Sequence, residues 1–172
     1  MNQLIQKQNL IAINKKVIDY WNKNRQDLLL EQFAVRGEIE QVVEIVNSVG
    51  NSGNHLHDVI EKSAYLMGSI AWIQAFAGGN KRTAYIATKE FLQNNGYLLQ
   101  VKSDSIKELT HLLYSIQEER SQLNFSTMKK IIFFLMKHVK MIDQDTKRRL
   151  DEFFIEDSKL LEYLGKEEFL KK

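Results

Sequence analysis

The chain contains no cysteine and no proline, and only 8 of its 172 residues are glycine. Without cysteine there are no disulfides, thiolate nucleophiles or thiolate metal sites. Without proline nothing interrupts a helix from within, so long helices are permitted throughout. No run of apolar residues is long enough to span a bilayer, and no membrane association is expected. The opening residues, MNQLIQKQNL, lack the charged and then apolar layout of a secretory signal. A cytoplasmic location is the expectation that follows. An excess of one charge is also missing. The 24 basic and 22 acidic residues leave a net charge of +2, too balanced to call for a nucleic-acid partner.

What is present is ordinary for a single soluble domain: 44% hydrophobic and 27% charged residues, with no repeat, low-complexity tract or shift in composition. Residues 1–172 are therefore read as one domain. Apolar spacing predicts helices over about 3–23, 26–34, 37–48, 55–76, 80–95, 104–119, 125–142 and 143–163. An extended link is expected over 97–102, and Asn124 or Ser126 is expected to cap the helix that follows. The small polar stretch 47–54, rich in glycine and asparagine, suits a loop or short flap. In the helix over 55–76, Ile60, Ala64, Met67 and Ala71 form one buried stripe, and Gln74 is its next member. In the following helix, Ala84, Ala87, Thr88 and Phe91 share a face that allows close approach.

The segment Phe76-Ala77-Gly78-Gly79-Asn80-Lys81-Arg82-Thr83 carries the chemistry. Two glycines let a backbone approach a ligand, and the helix that begins after them presents unpaired N–H groups and a positive dipole end. Lys81 adds charge there, and Arg82 has the fork geometry to grip a phosphate. Taken alone, the same string also reads as an interhelical turn.

The neighbouring residues carry a resemblance. Phe76, Gly79, Asn80, Lys81, Arg82, Thr83 and Ala84, then Phe91, Leu92, Asn95, Gly96 and Tyr97, stand in the order found in the Fic/Doc family, in its death-on-curing branch. Asp58 to Ala64 resembles the family's lead-in helix, and Arg36-Gly37-Glu38 gives a fainter echo. The resemblance covers roughly residues 30–140. It implies an all-α bundle of about six to eight helices and the transfer of AMP or phosphate from a nucleotide to a protein hydroxyl. It further implies that Gly79, Asn80, Lys81, Arg82 and Thr83 bind the nucleotide phosphates, ATP or GTP, with Phe76 as a packing anchor.

Two positions depart from the family pattern. The general-base histidine is replaced by Gln74 and the Mg²⁺-binding acid by Gly78. A glutamine amide accepts no proton near neutral pH, and glycine has no side-chain oxygen for Mg²⁺. Loss of the base alone is expected to cost about 10²–10⁴-fold in rate. The resemblance thus points to a catalytically degenerate, regulatory or binding protein with a nucleotide or phosphate ligand and a protein partner. The alternative is an active transferase with non-standard chemistry, such as the toxin of a toxin–antitoxin pair.

Other candidates have plainer readings. His55, His57 and Asp58 read as a helix start rather than a metal site. His111 and His138 have no partners in sequence, and Ser121, Ser126 and Thr127 make no triad. Phe153, Phe154, Leu160, Leu161, Phe169 and Leu170 read as a packed terminal helix, with a partner groove as the rarer option.

Overall fold

A computed structural model describes residues 4–24, 38–118, 123, 125–143 and 148–165. The described residues form eight α-helices: α1 (Lys7–Asn24), α2 (Ile39–Ser48), α3 (His55–Ile73), α4 (Asn80–Asn94), α5 (Ile106–Glu118), α6 (Phe125–His138), α7 (Leu150–Glu156) and α8 (Ser158–Tyr163). Strands β1 (Tyr97–Leu99) and β2 (Val139–Met141) pair antiparallel, Leu98 opposite Lys140. The architecture is all-α. The helix expected over 26–34, the Asn124 cap and residues Phe169 and Leu170 lie outside the described residues.

The long central helix α3 packs against α2, α4, α5 and α6. It starts where Asn54 accepts the His57 N–H at 3.1 Å, a side-chain cap for one of the orphan donors of the first turn. Val59, Ala64, Leu66, Met67, Ile70 and Ala71 are all fully buried along it, because partners surround it on several sides. Gly68 permits the approach of α6: a methyl group there would meet the Met128 sulfur at 2.7 Å.

Three boundaries differ from the sequence reading, each for a local reason. Helix α3 ends at Ile73, because Gln74 turns into the left-handed region at φ 55°. Its side chain therefore leaves the buried stripe that the 3.6-residue period had assigned to it. The helix expected over 125–142 stops at His138, where Val139 leaves the helix to pair with Leu99. Burial of all three β1 side chains favours that strand over three more helical residues. The helix expected over 143–163 is two, α7 and α8, divided at Asp157, whose carboxylate is held by Lys89 from α4. Within them Phe153, Phe154, Leu160 and Leu161 are core residues.

The loop before α3 is tied down from the helix itself. Asp58 accepts from the Ser52 N–H at 2.8 Å, the Ser52 hydroxyl at 2.6 Å and the Gly53 N–H at 3.0 Å. Lys62 donates to the Val49 and Val46 carbonyls, closing the end of α2. The Ser52 hydroxyl first, and then the two N–H groups, hold the Asp58 carboxyl below its ordinary value of 3.8, against the opposing effect of burial. A depressed carboxyl contributes stability above its unfolded-state value, and that contribution disappears as pH falls through the lower folded value. Urea midpoints measured down an acid series should fall more steeply for the wild type than for Asp58→Asn below about pH 4. Parallel curves for the two proteins would mean that Asp58 does not hold the loop.

Candidate functional site

The turn between α3 and α4 is held by side chains from both directions. Asn80, buried at the first position of α4, accepts the Phe76 N–H at 3.0 Å and donates to the Phe76 carbonyl at 2.8 Å. Its amide also donates to Gln74 Oε1 at 3.3 Å. The other end of the Gln74 amide donates to the Ala71 carbonyl. Both ends of Gln74 are thus engaged by the protein. Phe76 fills the core beneath the turn. Gly79 has φ 72°, and a methyl group there would lie 3.3 Å from Val17 of α1, so both its backbone angle and the crowding favour glycine.

Helix α1 supplies a contact that spacing alone did not reveal. Asn14, fully buried, donates to the Gly78 carbonyl at 3.0 Å and to the Thr83 hydroxyl at 2.9 Å. Its own carbonyl oxygen has no hydrogen-bond partner among the described residues. Its signal in the sequence was a polar residue one helical turn from Leu10 on an otherwise apolar stripe. The Thr83 N–H bonds the Gly79 carbonyl at 2.8 Å and begins the α4 ladder, so the amides of Asn80, Lys81 and Arg82 precede it.

The two cations of the turn point to different neighbours. Lys81 donates to Gln117 of α5 and stands 4.0 Å over the Tyr114 ring. Arg82 is buried. Its Nε donates to the Leu161 carbonyl of α8 at 2.8 Å, and its guanidinium lies 3.5 Å over the Trp21 ring. Gly165 packs directly on the guanidinium, and any side chain there would collide with it.

The turn, its buried amide clamp and the two flanking helices are the setting in which the comparison with known proteins decides the family. The model of the Fic/DOC family matches residues 5–92, from just before α1 to near the end of α4. The chain belongs to the Fic/DOC family. No curated protein and no solved structure matches it.

In this Fic/DOC chain Gly79, Asn80, Lys81, Arg82 and Thr83 all lie at the start of α4. The residues do not fit the family's Mg²⁺: Gly78 has no side chain, and its carbonyl is bonded to Asn14. Among the described residues no three His, Asp or Glu side chains gather closely enough to hold a metal ion. The amide end of α4 suits an anion, whereas the Arg82 fork is turned toward α8 and Trp21.

The histidines stand elsewhere. His55 and His57 open α3, and the His55 ring lies beside Tyr97. His111 is exposed on α5. His138 is buried at the end of α6, with Nδ1 3.2 Å from the Gln100 carbonyl. No histidine is hydrogen-bonded to Gln74 or Asn80 among the described residues.

Proposed function

We propose that this chain is a non-catalytic member of the Fic/DOC family that works by binding, its turn before α4 kept as an anion-facing joint. One observation carries the reading: the residue in the family's general-base position is Gln74, and both ends of its amide are bonded to Ala71 and Asn80. A group with no basic lone pair, held in place by a carbonyl and an amide, cannot take a proton from an acceptor hydroxyl. Gly78 removes the metal ligand as well. Engagement of Arg82 by Leu161 and Trp21 supports the same reading, because a guanidinium covered on its face and bonded at Nε has little left for a transferring phosphoryl group. What remains for a nucleotide is the amide end of α4, since Lys81 is itself engaged by Gln117 and Tyr114.

Incubation of a protein extract with labelled ATP or GTP and Mg²⁺ tests the reading. Wild type should label no protein above the level of Arg82→Ala; clear transfer by the wild type would replace the proposal with an active transferase of altered chemistry. Calorimetric titration with ATP, GTP and ADP addresses the binding part. Mg²⁺ should not tighten binding, since no side chain at the turn holds the ion, and complete absence of binding removes the nucleotide from the proposal.

A further inference from the structure

Helix α6 shows its neighbours two unlike faces. Inward, Met128, Ile131, Phe134 and Leu135 are buried against the core, which fixes the rotation of the helix. Outward, Phe125, Phe133 and Met136 are 63%, 68% and 61% exposed, and Met141 of β2 is 81% exposed. Rotation cannot hide these side chains without expelling the inner set. Phe125, Phe133 and Met136 follow one another at helical spacing and mark a ridge roughly 16 Å long. Exposed Lys129, Lys130, Lys137 and Lys140 lie among and beside them. Lys129 stands 4.7 Å over the Phe125 ring. Among the described residues Lys137 alone of the four has a carboxylate partner, Glu108 at 3.9 Å.

We propose that this outward face of α6 docks an acidic polypeptide segment that places apolar side chains along the ridge and carboxylates against the lysines. Contiguous exposed apolar residues on a fixed helix mark an interaction surface, and methionines suit a partner whose side chains must be accommodated. The charge selects the partner. A second copy of the same face would set lysines against lysines, so self-pairing is disfavoured. Nucleic acid favours arginine forks, which this face lacks, and because its two phenylalanines are able to stack bases, a single-stranded oligonucleotide is kept as an outcome of the test. A bilayer would have to take in Lys129 with the phenylalanines around it, whereas a peptide carboxylate can meet that ammonium where it stands. The surface is independent of the turn before α4 and of whether that turn supports catalysis.

The test uses the full chain and a helical peptide with leucines along one face and glutamates on both flanks, measured by fluorescence anisotropy. Its twin carries lysine in place of every glutamate. The glutamate peptide should bind and the lysine twin should not. Phe133→Ser with Met136→Ser, and separately Lys129→Glu with Lys137→Glu, should each weaken binding about tenfold. Lys15→Glu on α1 should leave it unchanged, and all variants should melt as wild type because the altered side chains are exposed. The proposal is overturned if neither peptide binds, if both bind equally, or if the α6 variants bind as wild type. It is also overturned if phosphatidylserine vesicles or a single-stranded oligonucleotide bind more tightly than the peptide, or if sedimentation shows self-association through this face.

Discussion

Lys89→Met should destabilise the fold by about 3–5 kcal/mol, because it leaves a buried carboxylate without its counter-charge. The Lys89 and Asp157 side chains are only 3% and 12% exposed, and Glu156 approaches the same ammonium at 3.4 Å. Methionine keeps most of the stem volume and its packing beside the Phe153 ring, so the loss is electrostatic rather than a cavity. Tyr85 reports on the same environment: burial first, and then the Asp157 charge, raise its phenol well above the ordinary value. The partner experiment separates the pair from its desolvation. Lys89→Met combined with Asp157→Leu should recover most of the loss, since two apolar side chains of similar size replace a desolvated pair. Urea denaturation measures both. A cost below about 1 kcal/mol for the single variant would place the pair among solvated surface bridges and defeat the claim.

That pair belongs to a larger device. Arg82, Lys89 and Gln93 lie along one stripe of α4 and each takes hold of a different part of the segment 148–165. Arg82 bonds the Leu161 carbonyl, Lys89 the Asp157 carboxylate, and Gln93 both the N–H and the carbonyl of Arg148, at 2.8 and 2.6 Å. Tyr20 of α1 stacks on Phe154 at 4.8 Å and donates to its carbonyl at 3.3 Å. The family match ends at residue 92, whereas the Leu161, Asp157 and Arg148 groups that this stripe holds all lie beyond it. The signature arginine thus serves as the first of three anchors for the C-terminal helices. Loosening the middle anchor should therefore raise amide exchange throughout α7 and α8 before it does so in α3.

The all-helical class and the turn before α4 were legible because both rest on short-range physics. Apolar period, glycine placement and caps are local, and the motif from Phe76 to Ala84 is contiguous. Gln74 was placed in the sequence but not in space: helical period put it on the buried stripe, and only the left-handed turn at that residue moved it off. Pairing of Leu99 with Val139 depends on a contact forty residues away that no local pattern encodes. The role of Arg82 was invisible for the same reason, since Leu161 and Trp21 reach it from opposite ends of the chain. Its sequence signal, an arginine after Gly-Asn-Lys, speaks for a phosphate; its surroundings speak for α8.

Asn80→Ala should cost about 3 kcal/mol, because the side chain it removes bonds both the N–H and the carbonyl of the buried Phe76 and is their one hydrogen-bond partner among the described residues. Alanine takes the partner from an N–H donor and a carbonyl acceptor, and it removes the donor that faces Gln74 Oε1. Asn80→Asp distinguishes this clamp from a general effect of volume. Aspartate has nearly the same shape and retains an acceptor for the Phe76 N–H, but it sets a carboxylate oxygen against the Phe76 carbonyl 2.8 Å away. Its loss should match or exceed that of alanine at neutral pH and shrink as the medium is acidified, since a protonated carboxyl regains a donor. Asn80→Ser, with one hydroxyl, should fall between the two and wild type. If all three variants melt with wild type, the turn is held by Phe76 packing and by Asn14 alone. If aspartate is benign at neutral pH, the bond from the Asn80 amide to the Phe76 carbonyl contributes little to the fold. A clamp of this strength would make Asn80 necessary to the fold whether or not a phosphate ever reaches α4.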